Sequence, residues 1–213
     1  MDLLNPSSLS SLHMREGINQ GVYIENLIEE TVIDVTDMMN LTTRGARNRH
    51  VGSTNMNKES SRSHSVLTTT IESKTMNDDG SWNMKSSRFH IIDLAGSERS
   101  KQTNAVGERL KEGAMINKSL STLGNVIKSL VELSQGKISF VNYRDSKLTF
   151  LLRDSLGGNS RTMIIANVTA AAISKDETLS TLKFARRAKM IKNKAKINEE
   201  SSSTIALLRQ QLA

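Results

Sequence analysis

The chain has 213 residues, enough for one large or two small domains, and its 37% hydrophobic and 24% charged residues exclude a disordered chain. No apolar run approaches the ~20 residues that a bilayer-spanning helix needs. The absence of cysteine excludes disulfide bonds and thiolate metal sites, and the formal net charge is +7.

The first half of the chain predicts loops, a helix and a hairpin. Residues 1–30 are rich in Ser, Asn and Gly and predict loops with one edge strand around residues 22–24. Apolar residues at helical spacing predict a helix over residues 31–49. The β-branched segments 65–74 and 88–94 flank a strong turn signal, Asn77-Asp-Asp-Gly80, so we predict an antiparallel hairpin.

The second half predicts three helical segments and one strand. A long helix should follow the polar loop 99–107 and run to about Gln135. Its apolar face would contain Leu120, Leu123, Ile127 and Leu130. Residues 143–156 predict a shorter helical unit, and residues 162–169 (TMIIANVT) predict a buried strand. Residues 174–191 predict a helix with an acidic first turn and a basic last turn.

The positive charge is concentrated near the C-terminal end. Seven basic residues and no acidic residue occur between residues 178 and 198, which equals the whole net charge of +7. Such a stripe can bind nucleic acid or an acidic protein surface, act as a nuclear signal, or be a solvated helix face. The basic stripe consists of Lys183, Arg186, Arg187, Lys189, Lys192, Lys194 and Lys196.

Two short motifs carry groups that bind phosphate or a metal ion. In Asp93-Leu-Ala-Gly-Ser-Glu98, a carboxylate follows an apolar strand and a glycine lies three residues on. The carboxylate could hold a metal ion through water and the glycine amide could reach a terminal phosphate, or the segment could be a strand-ending turn. In Ser60-Ser-Arg-Ser-His64, hydroxyls could bind magnesium or phosphate, or the segment could be a polar loop.

Taken together, Asn57-Lys-Glu-Ser-Ser-Arg-Ser-His64 and Asp93-Leu-Ala-Gly-Ser-Glu98 resemble switch I and switch II of the kinesin motor domain. The resemblance covers about residues 12–198, and segments 148–155 and 191–195 most resemble the spindle kinesins of class twelve. Other family-like segments follow in the family's order: Ile116–Leu120, Leu123–Val126, Tyr143–Thr149, Asp154–Asn159 and Thr178–Ala185.

The resemblance implies an α/β fold, a three-layer αβα sandwich of the P-loop NTPase and kinesin type with a central mixed sheet, its N-terminal portion missing. Residues 1–191 would be a partial kinesin motor domain. Residues 192–200, which include the end of the basic stripe, would be the neck linker. Residues 201–213 would begin a coiled-coil or stalk helix. A nucleic-acid role for the stripe becomes a minor alternative.

The resemblance also implies roles in binding ATP and Mg²⁺. Ser61 would ligate the metal directly and Asp93 would hold it through water. Ser60 and the Gly96 amide would contact the γ-phosphate, and Asn57 would complete the nucleotide-binding set.

Further residues would couple the nucleotide to the track. Arg62 and Glu98 would form the ion pair that closes the two switches and orders the lytic water. Asn117 would start or flank the relay helix. The microtubule-binding surface would comprise Arg99, Lys101, Lys118, Tyr143, Arg144 and Lys147. Phe150 stands where many kinesins have another basic residue, and Asn142 replaces a common proline.

The phosphate-binding loop of the family, G-x-x-x-x-G-K-[ST], does not occur in the chain. In the family, the strand before this loop lies between the strands that match residues 88–94 and 162–169. Without that neighbour, both segments would have unpaired backbone and exposed apolar faces. We therefore predict that this chain alone is unstable or aggregation-prone and does not bind ATP tightly.

The function implied by the resemblance is that of an ATP-dependent microtubule motor, here a partial motor domain of doubtful enzymatic activity. The alternative is a truncated kinesin-like protein that binds microtubules or a partner without hydrolysis. Microtubules would be the partner, with no membrane role, and the parent protein would be a homo-oligomer through a downstream coiled coil. The implied location is the cytoplasm and cytoskeleton, including the mitotic spindle.

Overall fold

The computed structural model of the protein describes residues 1–17, 21–51, 63–96 and 108–202. The chain divides into two compact units, the first of Met1–Ser63 and Ala95–Ala195 and the second of His64–Leu94 and Lys196–Ala213. The strands are β1 (His13–Gly17), β2 (Gly21–Glu25), β3 (Ser65–Met76), β4 (Trp82–Asp93) and β5 (Glu199–Ser201). The helices are α1 (Val35–Val51), α2 (Glu108–Ser134), α3 (Lys147–Leu151) and α4 (Lys175–Ala188), with 3-10 turns at Tyr143–Asp145 and Ala172–Ser174. None of the helices in these described ranges is both long and apolar enough to cross a membrane.

The second unit is built on the β3–β4 hairpin, which confirms the predicted antiparallel pair. Its register runs from Ser65 opposite Asp93 to Met76 opposite Trp82. Gly80 closes the turn with φ of +77°, a conformation that strongly favours glycine. Strand β5 adds antiparallel to β4, so the sheet has the order β3-β4-β5.

The core of the first unit lies between α2 and the segment around α3. Leu123, Val126 and Ile127 of α2 are buried, as are Leu148 and Leu152. The predicted long helix and its apolar face are therefore confirmed, with Leu120 and Leu130 half-buried at the edges of that face. Because these contacts join neighbouring helices, they form without a sheet.

The N-terminal part contains more regular structure than predicted. Strands β1 and β2 form an antiparallel pair where only one edge strand was expected. Helix α1 begins four residues later than predicted, because Asp34 caps it by accepting a hydrogen bond from the Asp37 amide at 2.8 Å. Asp2 is buried and accepts backbone hydrogen bonds from Leu4 at 2.8 Å and Ile28 at 2.9 Å.

The prediction of a buried strand at residues 162–169 is wrong. The segment has no regular secondary structure, and Met163 and Ile165 are 86% and 80% exposed. A strand forms only where a neighbour accepts and donates its backbone hydrogen bonds, and no strand in the described residues pairs with this segment. The strand pairs in the described residues are all antiparallel.

Candidate functional site

Asp93, the predicted metal ligand, is the last residue of β4 and is solvent-exposed. The hairpin register pairs it with Ser65, the first residue after the Asn57–His64 motif. The end of the first motif and the start of the second therefore lie at the same end of the hairpin. The chain then leaves the strand through a buried Ala95 and a half-buried Gly96. The predicted placement of the second motif at a strand end is confirmed, whereas the roles of Asp93 and Gly96 stay predictions.

Much of the predicted nucleotide and track site lies outside the described residues. The roles of these residues also stay predictions. The residues concerned are Asn57, Ser60, Ser61, Arg62, Glu98, Arg99 and Lys101.

The chemistry of the described residues fits only part of a site for ATP and Mg²⁺. Asp93 supplies a carboxylate of the kind that magnesium prefers. The described ranges contain no cluster of three or more His, Cys, Asp or Glu side chains that could hold a metal ion. No segment of the sequence supplies the lysine-containing phosphate loop. The chain thus carries candidate residues for binding the metal ion and the terminal phosphate of a nucleotide. It carries no candidate for the phosphate-binding loop.

Helix α2 carries two of the predicted residues. Asn117 is half-buried and lies well inside the helix, which begins at Glu108, so it neither starts nor flanks the helix as expected. The helix begins directly after the polar segment 99–107, where the sequence predicted it. Lys118 is exposed, as a track-binding residue would need to be.

The turn and short helix at residues 143–151 hold the other described track residues. Tyr143 donates a hydrogen bond from its hydroxyl to the Leu156 carbonyl oxygen at 2.6 Å. Burial, and then the nearby charge of Asp154, raise the pKa of the Tyr143 hydroxyl above its usual value. This hydroxyl is therefore engaged within the protein, whereas Arg144 and Lys147 are exposed.

A buried threonine fixes the turn that carries these basic residues. Thr149 is fully buried and donates a hydrogen bond to the Tyr143 carbonyl oxygen at 2.6 Å. Ser146 caps α3 by accepting a hydrogen bond from the Thr149 amide at 3.1 Å. The turn that displays Arg144 and Lys147 is thus tied to the helix that follows it.

Asn193, in the predicted neck linker, is a residue that sequence reasoning missed. Its side-chain oxygen accepts a hydrogen bond from the Gly157 amide at 2.8 Å. Its side-chain nitrogen donates to the carbonyl oxygens of Ser155 at 3.0 Å and Ser160 at 2.9 Å, and lies 3.0 Å from the Thr162 hydroxyl. The only sequence signal was an amide side chain among lysines, which does not reveal a partner more than 30 residues away.

The comparisons with known proteins agree with this architecture. The family model described as the kinesin motor domain matches residues 1–191. The chain is 57% identical over 211 residues to kinesin-like protein KIN-12C of Arabidopsis thaliana and 57% identical over 211 residues to KIN-12F of Oryza sativa subsp. japonica. It is 54% identical over 211 residues to kinesin-like protein KIF15 of Strongylocentrotus purpuratus. Each match covers 99% of this chain but only 10%, 8% and 14% of the relative, so the chain spans about a tenth of their length.

Two solved structures are also similar. One is the KIF14 dimer in its two-heads-bound state with AMP-PNP, in complex with a microtubule. It superposes with a TM-score of 0.81 and 43% identity, over 94% of this chain and 55% of that one. The other is a fast kinesin, with a TM-score of 0.76 and 49% identity, over 89% of this chain and 52% of that one.

The α/β class with the fold of a kinesin-type P-loop NTPase is therefore confirmed. The chain belongs to the kinesin motor domain family, and its likeness to the class-twelve kinesins is confirmed as well.

Proposed function

We propose that this chain is part of an ATP-dependent microtubule motor and carries both nucleotide switches and a track-binding surface. The observation that carries the proposal is its similarity to the KIF14 head, a protein solved with AMP-PNP and a microtubule, along 94% of the chain. The proposed location is the cytoplasm, on microtubules and the mitotic spindle. The parent protein would be a homo-oligomer through a downstream coiled coil.

On the nucleotide side, Ser61 and Asp93 would hold Mg²⁺, and Ser60, Asn57 and the Gly96 amide would face the terminal phosphate. In the complete motor domain, ATP and Mg²⁺ supply the phosphoryl chemistry. The pairing of Ser65 with Asp93 supports this proposal. It brings the end of the first motif and the start of the second motif to the same end of the β3–β4 hairpin.

Two further groups would couple that site to the rest of the motor. Arg62 and Glu98 would pair when the switches close, and this pair would order the attacking water. Asn117 would act within α2, which we propose as the relay helix.

On the track side, exposed basic residues would face the acidic surface of tubulin. Lys118, Arg144 and Lys147 are exposed in the described part of the chain. Clustered positive charge steers an acidic partner and pairs with it. Arg99 and Lys101 would extend this surface. Tyr143 would hold the turn that carries Arg144 in place through its hydrogen bond to Leu156.

Residues 192–200 would be the neck linker after a motor domain of residues 1–191. The hydrogen bonds of Asn193 support a linker whose first residues are docked on the motor domain, since they fix the start of that segment to the turn around Gly157 and Gly158. The Lys194 amide adds a bond to the Gly158 carbonyl oxygen at 2.9 Å. Residues 201–213 would begin the stalk helix.

A second candidate is a kinesin-like protein that binds microtubules or a partner without hydrolysis. The observation that favours it is that no phosphate-binding loop occurs in the sequence. The two candidates predict different nucleotide behaviour for the chain taken alone, although both predict binding to microtubules.

The decisive experiment compares two proteins in microtubule co-sedimentation and microtubule-stimulated ATPase assays. One is this chain, and the other is the same chain preceded by the phosphate-loop half of the KIN-12C motor domain. We expect both to bind microtubules and only the longer protein to hydrolyse ATP. Nanomolar-to-micromolar ATP affinity of this chain alone would refute our view of its nucleotide site. Failure of both proteins to bind microtubules would refute the motor proposal.

A further inference from the structure

Two arginines of the first unit share one carboxylate. Arg144 Nη2 lies 2.9 Å from Glu16 Oε2, and Arg153 Nη1 contacts the other oxygen, Glu16 Oε1. The side chains of Arg144, Arg153 and Glu16 are 76%, 44% and 32% exposed. We call these three residues the Glu16 cluster. It carries a net positive charge and is open to solvent.

An aromatic ring orients the more exposed arginine. The Arg144 guanidinium carbon lies 5.2 Å from the centre of the Phe150 ring, which is cation–π distance. The Arg153 amide donates to the Phe150 carbonyl oxygen at 3.2 Å, so Arg153 lies one turn further along. Phe150 thus contacts Arg144 through its ring and Arg153 through its backbone, and both arginines reach Glu16.

The cluster borders two clefts that could admit a partner's side chains. One cleft of about 260 Å³ is lined by Arg144, Lys147 and Phe150 among others. The other, of about 450 Å³, is lined by Glu16, Arg144, Arg153 and Asp154. Asp154 is the other acidic residue that lines this second cleft. Arg144 borders both clefts, and its exposed guanidinium has five N–H donors in all.

A second ion pair, between strands β1 and β2, shows what is unusual about the Glu16 cluster. Arg15 of β1 pairs with Glu25 of β2 at 3.1 Å, one arginine with one carboxylate. In the Glu16 cluster, two guanidinium groups share a single carboxylate. Since each guanidinium can bind a carboxylate through two parallel hydrogen bonds, the cluster has room for a second anion.

We propose that Arg144 and Arg153 form a carboxylate-binding site of the track-binding surface, which Glu16 occupies until a carboxylate of an acidic protein surface replaces it. Exposed ion pairs are weak, so the exchange costs little when the incoming surface offers many carboxylates. Glu16 then limits the affinity of the free surface for its partner. The proposal rests on the proposed function for the identity of that partner.

The test compares Glu16→Gln with Glu25→Gln in the full chain. Both variants remove one negative charge from the β1–β2 strand pair, but Glu25 contacts neither Arg144 nor Arg153. Binding is measured with a fluorescent short polyglutamate peptide by anisotropy and with microtubules by co-sedimentation. We expect Glu16→Gln to bind both about fivefold more tightly than Glu25→Gln, since a weak exposed pair corresponds to a change of this order.

A second variant keeps Glu16 in place. Arg153→Gln should weaken polyglutamate binding and, combined with Glu16→Gln, remove most of the gain. Equal gains from Glu16→Gln and Glu25→Gln would overturn the proposal, because net charge alone would then explain them. If peptide binding follows the expectation but no variant binds microtubules, the carboxylate site stands and the proposed function fails. If all variants bind microtubules alike, the function stands and the site is refuted.

Discussion

The helical core around α2 and the extended segment at residues 162–169 are both apolar, yet the first is buried and the second is not. Val126 and Ile127 are 2% and 1% exposed, whereas Met163 and Ile165 are 86% and 80% exposed. A helix satisfies its own backbone and needs only a neighbouring surface, which residues 143–156 supply. An apolar strand also needs a neighbour for its backbone hydrogen bonds. The difference explains why this part of a motor domain has one well-packed region beside an exposed apolar segment.

The largest expected effect comes from opening a cavity in the helical core. Ile127→Ala should destabilise the first unit by about 2–5 kcal/mol, because a fully buried side chain is removed. Thermal unfolding followed by circular dichroism measures the loss. The matched control Ile165→Ala removes the same atoms from an exposed site and should change stability by about 0.5 kcal/mol or less. Equal losses in both variants would mean that residues 162–169 are packed.

The next largest effect should come from the glycine that follows α3. Gly157 has φ of +89°, and a Cβ atom there would lie 2.8 Å from Leu130 Cδ2. Gly157→Ala should therefore cost about 1–3 kcal/mol through backbone strain and the displacement of Leu130. Gly80→Ala has a similar φ of +77° but no atom within 4 Å of the added Cβ. Urea unfolding should show a smaller loss for the Gly80 variant, and the reverse order would contradict this account.

A more moderate effect is expected for the amide that fixes the predicted neck linker. Asn193→Ala removes the partner of the Gly157 amide and of two carbonyl groups, so we expect a loss of about 1–2 kcal/mol. Hydrogen exchange at the Lys194 amide should accelerate, because its bond to Gly158 depends on this contact. Asn5→Ala, which removes an exposed contact to the Ser7 hydroxyl at 3.3 Å, is the control and should change stability little. Unchanged exchange at Lys194 would refute the role of Asn193.

The smallest effect concerns the half-buried tyrosine near the core. The pKa of Tyr143 is raised in the folded state, so its contribution to stability is present below the unfolded value of 10.0 and is lost as pH rises through the folded value. Tyr143→Phe should cost about 1 kcal/mol at neutral pH through loss of the hydrogen bond to Leu156. The variant should also show a weaker decline of melting temperature above pH 10.0 than the unaltered protein. An identical alkaline decline in both would show that other groups cause it.

Local patterns predicted the elements whose contacts are local. The turn signal at Asn77–Gly80 predicted the hairpin, and the leucine spacing of α2 predicted its buried face. The acidic residues Asp176 and Glu177 correctly marked the first turn of α4. Within the candidate site, the position of Asp93 at a strand end was also predictable, since an apolar run precedes it.

Features that depend on distant contacts were not predictable. Glu16 lies 128 residues from Arg144 and 137 from Arg153, and no spacing rule connects them. The bonds of Asn193 depend on a turn formed around Gly157, which the basic residues nearby do not suggest. The strand expected at residues 162–169 failed for the same reason, because β-propensity describes a half-buried surface that only a neighbouring strand can create.

The pairing of β4 with β5 has a consequence for the synthesis of the protein on the ribosome. Asn83 and Glu199 are in contact although 116 residues separate them. At a translation rate of about 5–20 residues per second, β5 is synthesised about 6–23 s after β4. During that time the part of the outer edge of β4 at Asn83–Lys85, which β5 later covers, is available to other nascent chains. A chaperone that shields the β3–β4 hairpin should therefore raise the yield of correctly folded protein.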